Sequence, residues 1–389
     1  MRTRLPVSLL AGLVLLTLYA VPASAAPPTH TVPARPSPAW QTNGRVHAIV
    51  ATGGAVYLAG TFSKVRPPGA AAGSKETSRS FLAAFNASTG TLLPFNHTLD
   101  GAVYALALSP DNTRLYAGGA FRTVDGQARG RLAVFDLPRG TLNASWKPSA
   151  GATVRALHTR GHTIYMGGTF GRINGVIRNN LAAVTDTGTL LPLSADLDGW
   201  VRAITTTPAG SRLIVGGGFS HVNGQTHRAI VSLDSSTGAI RPWAATIPTC
   251  SEVTTLIHDS SRVYVGGEGT GGGCFDGFFA SNPDTGREVW RDNCRGATQA
   301  LVLLGGVLYV GSHAHNCGSV LCGGFGETSP RHLLAVNSAD GCISSTWRPN
   351  TNGKPLGPYA LATDGRRLFV GGDFTSVNNL AQQGFTRFG

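Results

Sequence analysis

His313, His315, Cys317 and Cys322 fall within one stretch, YVGSHAHNCGSVLCGGFGE. The two histidines alternate, so on an extended segment both imidazoles project from one face, and such a pair can chelate zinc or copper. A third ligand would have to come from Glu268, Asp276 or Asp373 on neighbouring segments. The same imidazoles, titrating near neutrality, could instead move a proton in acid–base catalysis. A His-x-His pair without a defined third and fourth ligand is common by chance. A hydrogen-bonded structural role therefore competes with both chemistries. No cofactor is expected beyond a divalent metal at this loop.

The chain around this loop is built for export. Arg2 and Arg4 precede the apolar run VSLLAGLVLLTLYAV and the small-residue exit Ala23-Ser24-Ala25, the form of a cleaved secretory signal over residues 1–25. The run is short for a bilayer span, so no membrane span is expected after cleavage. Loss of Arg2 and Arg4 takes the formal charge from +12 to +10, still basic. The basic residues are scattered rather than clustered, and nucleic acid is not an expected partner. Residues 26–39 contain PPTHTVPARPSPA and are expected to form a stiff proline-rich leader. The Ala/Gly/Arg-rich composition suggests a high-GC bacterial source.

Residues 40–389 repeat one unit. VYLAGTF, LYAGGAF, IYMGGTF, LIVGGGF, VYVGGEG, LYVGSHA and LFVGGDF align at Ala59, Gly118, Gly167, Gly216, Gly266, Gly311 and Gly371, at spacings of 45 to 60 residues. Each unit predicts four short strands: an inner strand such as VYALAL, the Gly-Gly strand, a third such as RLAVF, and a Trp-bearing fourth. Seven such units predict an all-β chain, a seven-bladed β-propeller of four-stranded antiparallel blades. The last unit ends at Gly389 without its fourth strand, and the segment around Trp40 is expected to supply it and close the ring.

The units LYAGGAFRTVDGQARGRLAVFD, IYMGGTFGRINGVIRNNLAAVTDTGTL and LIVGGGFSHVNGQTHRAIVSLDSSTGAI resemble the delta-60 repeat, a propeller-like repeat of secreted bacterial proteins. They also resemble the blades of fungal cortical-marker ectodomains. The resemblance covers nearly all of the mature chain and implies the architecture. It brings no catalytic motif, and the fifth and sixth units depart from it.

Residues that recur in most units are expected to pack. These are the Phe62, Phe121, Phe170, Phe219 and Phe374 series and the Trp40, Trp146, Trp243, Trp290 and Trp347 series. Function is expected where the pattern breaks. The loop after the second strand is elaborated in the first unit (RPPGAAAGSKETSR), the fifth (EGTGGGCFDG) and the sixth, all on one rim. The second positions of the inner strands, His47, Tyr104, Arg155, Arg202, Thr254, Gln299 and Tyr359, vary and should ring the channel mouth at that rim. Arginines there suit an anionic or hydroxyl-rich ligand. Trp200 stands outside the repeating series beside Arg202 and could stack on a sugar ring. Packing between blades is the competing role for all of these side chains.

All six cysteines lie in the fifth and sixth units, an even count that reads as disulfides in an exported chain. Superposing the two units places Cys250 over Cys294 and Cys274 over Cys317. The expected pairs are Cys250–Cys274 and Cys294–Cys317, leaving Cys322–Cys342.

Three functions fit. The first is a monomeric secreted propeller that binds an extracellular ligand at this rim, a cell-wall or surface glycan or a small molecule. The second is an enzyme, a lyase, hydrolase or cyclase/isomerase, with tailoring of a secreted metabolite among its readings, using His313 or His315 with Arg155 or Arg202. The third is a scaffold for a surface protein, contacting it through the disulfide-stapled loops, so that its interface responds to the loop of the fifth unit around Phe275, Phe278 and Phe279. The sequence contains no Gly-x-Ser-x-Gly, His-Glu-x-x-His or phosphate-loop motif.

Overall fold

A computed structural model describes residues 31–389 except 293, 318–321, 323–324 and 354–356, with backbone only over 325–330. The expected signal segment lies outside the described residues. The described chain is all-β, and no helix in it is long and apolar enough to cross a membrane.

Among the twelve antiparallel sheets of the described residues, seven contain one of the expected inner strands; four of these have the expected four strands, and the other three have three, with only an isolated bridge where the fourth was expected. These inner strands, the first of each unit, are Val46–Thr52, Val103–Leu108, Val154–Arg160, Trp200–Thr206, Ser251–His258, Thr298–Leu304 and Pro358–Thr363. Short apolar runs bounded by glycine and asparagine turns leave the backbone no alternative that buries both faces. Each first strand packs on the next in chain order, and Pro358–Thr363 packs on both Thr298–Leu304 and Val46–Thr52. The core divides in the same way, into seven clusters that each fill the seam between two neighbouring sheets. The seam between the last and first sheets joins Val46, Leu58 and Phe85 to Ala360, Phe369 and Phe385.

The recurring aromatics are core. Phe62, Phe121, Phe170, Phe219 and Phe374 are buried, as are Trp146, Trp290 and Trp347. The Nε1 of each of these three tryptophans donates to a carbonyl of the segment packed beside it: Thr185, Ser338 and Val32 respectively. The turn pairs Asp125-Gly126, Asn174-Gly175 and Asn223-Gly224 all adopt positive φ and cap two-stranded hairpins.

The N-terminal boundary differs from expectation. Pro36–Ser37, rather than the segment at Trp40, pairs with Phe385–Phe388 as the outer strand of the last sheet. Val32 is buried; its N–H donates to Tyr309 Oη at 2.9 Å and its carbonyl accepts from Trp347. Val32 thus anchors in the core, and the end of the expected leader is part of the fold. A spacer reading failed here because prolines suit an edge strand as well as a linker.

Candidate functional site

In each of the seven sheets the pairing between first and second strands skips one residue. The skipped residues are His47, Tyr104, Arg155, Arg202, Thr254, Gln299 and Tyr359. A β-bulge of this kind takes a residue out of the ladder and re-aims its side chain. Opposite it the strands come very close: a Cβ on Gly217 would overlap the Trp200 carbonyl, so the second glycine of the repeat makes room for the bulge. All seven side chains consequently line one cavity of about 240 Å³, joined by Arg45 and Trp200. Its inward continuation is lined by the same strands, where the next residue is alanine in six of them and Thr255 in the fifth. Small side chains at that level leave an axial space below the ring.

The cavity wall alternates aromatic rings and cations. Arg45 lies 4.5 Å from the Tyr359 ring centroid, Arg155 lies 5.1 Å from Tyr104 and 5.2 Å from Trp200, and Arg202 lies 5.5 Å from Trp200. Two of these arginines have carboxylate partners. Arg45 Nη2 donates to Asp373 Oδ2 at 2.5 Å. Arg202 Nη1 donates to Glu268 Oε1 and stands 3.6 Å from Glu252 Oε2, while its Nη2 reaches Gln299 Oε1 at 3.3 Å. Gln299 Nε2 in turn donates to Glu268 Oε2 at 2.7 Å. Arg155 has no hydrogen bond or ion pair among the described residues, and its Nε is buried without a partner. His47 touches the Tyr104 and Tyr359 rings edge-on. Burial first, and then Arg45 and Arg155, push its imidazole down to about 4, so it is neutral at pH 7.

Two other grooves, of about 320 and about 500 Å³, lie between neighbouring sheets among turn residues such as Pro110, Asp186, Pro94 and Arg139. Neither gathers side chains from around the ring, so the mouth is the stronger candidate.

The histidine loop is placed differently from this cavity. His313 and His315 lie on the strand Val307–Cys317 with ring centroids 5.7 Å apart, and neither lines the mouth. Burial, then His315, holds the His313 imidazole below its ordinary value. The acidic residues considered as further metal ligands have other partners: Glu268 and Asp373 engage arginines, and Asp276 Oδ1 accepts from Gly269 N at 3.2 Å. Among the described residues, the group with ligand atoms within 4.8 Å of one another is Asp292, Cys294 and Cys317. Its two sulfurs are joined in a disulfide, so no thiolate is on offer.

Cys250 pairs with Cys274, Cys294 with Cys317 and Cys322 with Cys342. Phe275, Phe278 and Phe279 are each at most 2% exposed and fill the fifth sheet's seams. Among the described residues, none of the elaborated loops lines the cavity; the loop of the fifth unit contributes through Glu268, which holds Arg202. Arg45 and Glu252 were missed in the sequence. They sit two residues before the ring position, level with Trp200 in the repeat, and extending the alignment by that step would have found them.

Gly218 keeps Trp200 in place. A Cβ there would overlap Trp200 Nε1 and come within 2.6 Å of Glu252 Oε1. Both obstacles are side-chain ends that can move, so Gly218→Ala should cost about 1 kcal/mol or less in stability while shifting the indole. Unchanged tryptophan emission and quenching in that variant would show that the indole had not moved.

No family model matches this sequence, and a comparison with curated proteins finds no match. Among solved structures the chain is similar to the computationally designed Ika8 protein, with a TM-score of 0.51 and 16% identity, covering 90% of this chain and 98% of the designed one. At that identity the likeness concerns the fold alone.

Proposed function

We propose that this chain is a secreted, monomeric seven-bladed β-propeller of the delta-60-repeat type that binds an extracellular ligand, a cell-wall or surface glycan, at the mouth of its axial channel. The carrying observation is the convergence of seven bulged side chains, one from each sheet, on one cavity with Trp200 at its edge. The cyclic packing of the first strands supports the ring architecture. Three disulfides and a signal-like N-terminus are compatible with export. Indole and phenol rings beside hydrogen-bonding groups suit a sugar, whose faces are apolar and whose edges are polar. The histidine loop does not line this cavity, so the catalytic reading draws no support from it.

Thermal unfolding of the oxidised protein against a glycan panel tests this. A ligand at about a hundred times its dissociation constant adds roughly 2.7 kcal/mol. A glycan-dependent rise that Trp200→Ala removes is expected. No rise with any glycan, or a rise that survives Trp200→Ala, would overturn the assignment.

A further inference from the structure

Three arginines enter the mouth, and they are not equivalent. Arg45 is neutralised by Asp373, and Arg202 by Glu268 with Glu252 behind it. Arg155 alone among them has no carboxylate within ion-pair distance among the described residues, yet it is half-buried between two aromatic rings. Holding a cation in a partly dehydrated cavity without a counter-ion costs free energy unless a ligand supplies the charge. The groups in contact with it supply none: Tyr104 and Trp200 offer ring faces, His47 is an uncharged imidazole at neutral pH, and the second carboxylate of the Arg202 cluster, Glu252, forms no ion pair with Arg155. Contact with both rings confines the guanidinium between them. Its Nη atoms, which make no bond to the protein, are left as a fork of donors at the cavity.

We infer that the ligand of the mouth is an acidic glycan, whose anionic group docks on the Arg155 guanidinium while its sugar ring lies against Trp200. This rests on reading the mouth as a glycan site and adds the charge of the occupant. Carboxylate of a uronic acid and phosphodiester of a polyol-phosphate polymer share the required chemistry, an anionic oxygen pair matched to a guanidinium fork. The protein's overall basic charge favours approach of either polyanion.

Titration calorimetry on the full oxidised chain distinguishes the outcomes, using oligogalacturonate, its methyl ester, polyglycerol phosphate, and neutral cello- and chito-oligosaccharides. The expected result is binding of oligogalacturonate or polyglycerol phosphate, whichever carries the right acid, with the ester and neutral chains at least tenfold weaker. Affinity should fall as salt rises. Arg155→Gln should weaken the acidic probe by tenfold or more, and Arg155→Lys should restore part of it, since lysine keeps the charge but loses the fork. Far-ultraviolet circular dichroism and melting of both variants check that the bulge survives. Neutral glycans binding as tightly as acidic ones, with Arg155→Gln unaffected, would overturn this inference and leave the glycan assignment standing. No binding by any probe would overturn both.

Discussion

Replacing Gly371 with valine should destabilise the protein by about 3 kcal/mol and lower its melting temperature by roughly 5 °C. Gly371 lies on the second strand of the last sheet and faces the first strand of the first. A Cβ added to it would stand 2.5 Å from Val46 Cγ1 and 2.8 Å from both Val46 Cβ and Ile49 Cδ1. Val46 is fully buried and Ile49 nearly so, both within the seam that joins the two ends of the chain. Both belong to the buried cluster that holds Phe85 and Phe385, and both backbones are held by their own ladders. The cost therefore belongs at the upper end of the overpacking range. Because the tightest contacts are with the Val46 side chain, Val46→Ala combined with Gly371→Val should recover part of the loss, leaving the approach to Ile49. Chemical denaturation of the two single variants and the double variant measures that coupling. Additive losses would mean that the last sheet does not meet the first at this seam.

The same contact explains how much of the fold was legible in the sequence. Gly118, Gly167 and Gly216 receive Val154, Val201 and Val253 of the following sheet just as Gly371 receives Val46. The Gly-Gly spacing thus records a packing rule, and the repeat could be counted from it. The ring residues were legible for the complementary reason: a position that varies inside a repeat is free of packing duty. Pairing partners were not legible. Glu268 and Asp373 look like available metal ligands in the sequence because nothing in it says that Arg202 and Arg45, far away in the chain, will point at them. Val32 and Pro36 looked like spacer because their partners, Tyr309, Trp347 and Phe388, lie some 270 residues or more downstream.

Asp292 is the residue the sequence disguised most completely, since Trp-Arg-Asp-Asn at a strand end reads as a solvated turn. It closes the strand Glu288–Asp292 opposite Phe278, is 1% exposed, and neither carboxyl oxygen has a hydrogen-bond partner among the described residues. The adjacent Cys294–Cys317 disulfide has no proton to donate. Burial alone pushes this carboxyl up to about 7. The unfolded chain releases this proton near pH 4, whereas the folded chain holds it until about pH 7. Between those values the folded state binds more protons, so this group's contribution to stability falls as pH rises, by about 4 kcal/mol across the window. Four buried imidazoles oppose it, and burial holds His313 and His332 below their ordinary value. His47 and His158 are both held down to about 4 by burial, so the unfolded chain takes up their protons first, and they withdraw stability as pH falls from about 6.5 towards 4.

The wild-type protein should consequently lose only part of the stability that the imidazoles withdraw between pH 7 and pH 5, because the carboxyl's gain of about 2 kcal/mol offsets some of their loss. Asp292→Asn removes the carboxyl's side of that balance. Its amide remains buried without partners, at a cost of about 1–3 kcal/mol, but it cannot ionise. The variant should be more stable than wild type by about 1–3 kcal/mol at pH 8, where the wild-type carboxylate is charged. It should then lose stability steadily on acidification. Urea denaturation from pH 8 to pH 5, without reductant so that all three disulfides persist, separates the two profiles. Parallel profiles for the two proteins would mean that Asp292 is ionised and solvated in the native state, and that the wedge between the fifth and sixth sheets is open to water.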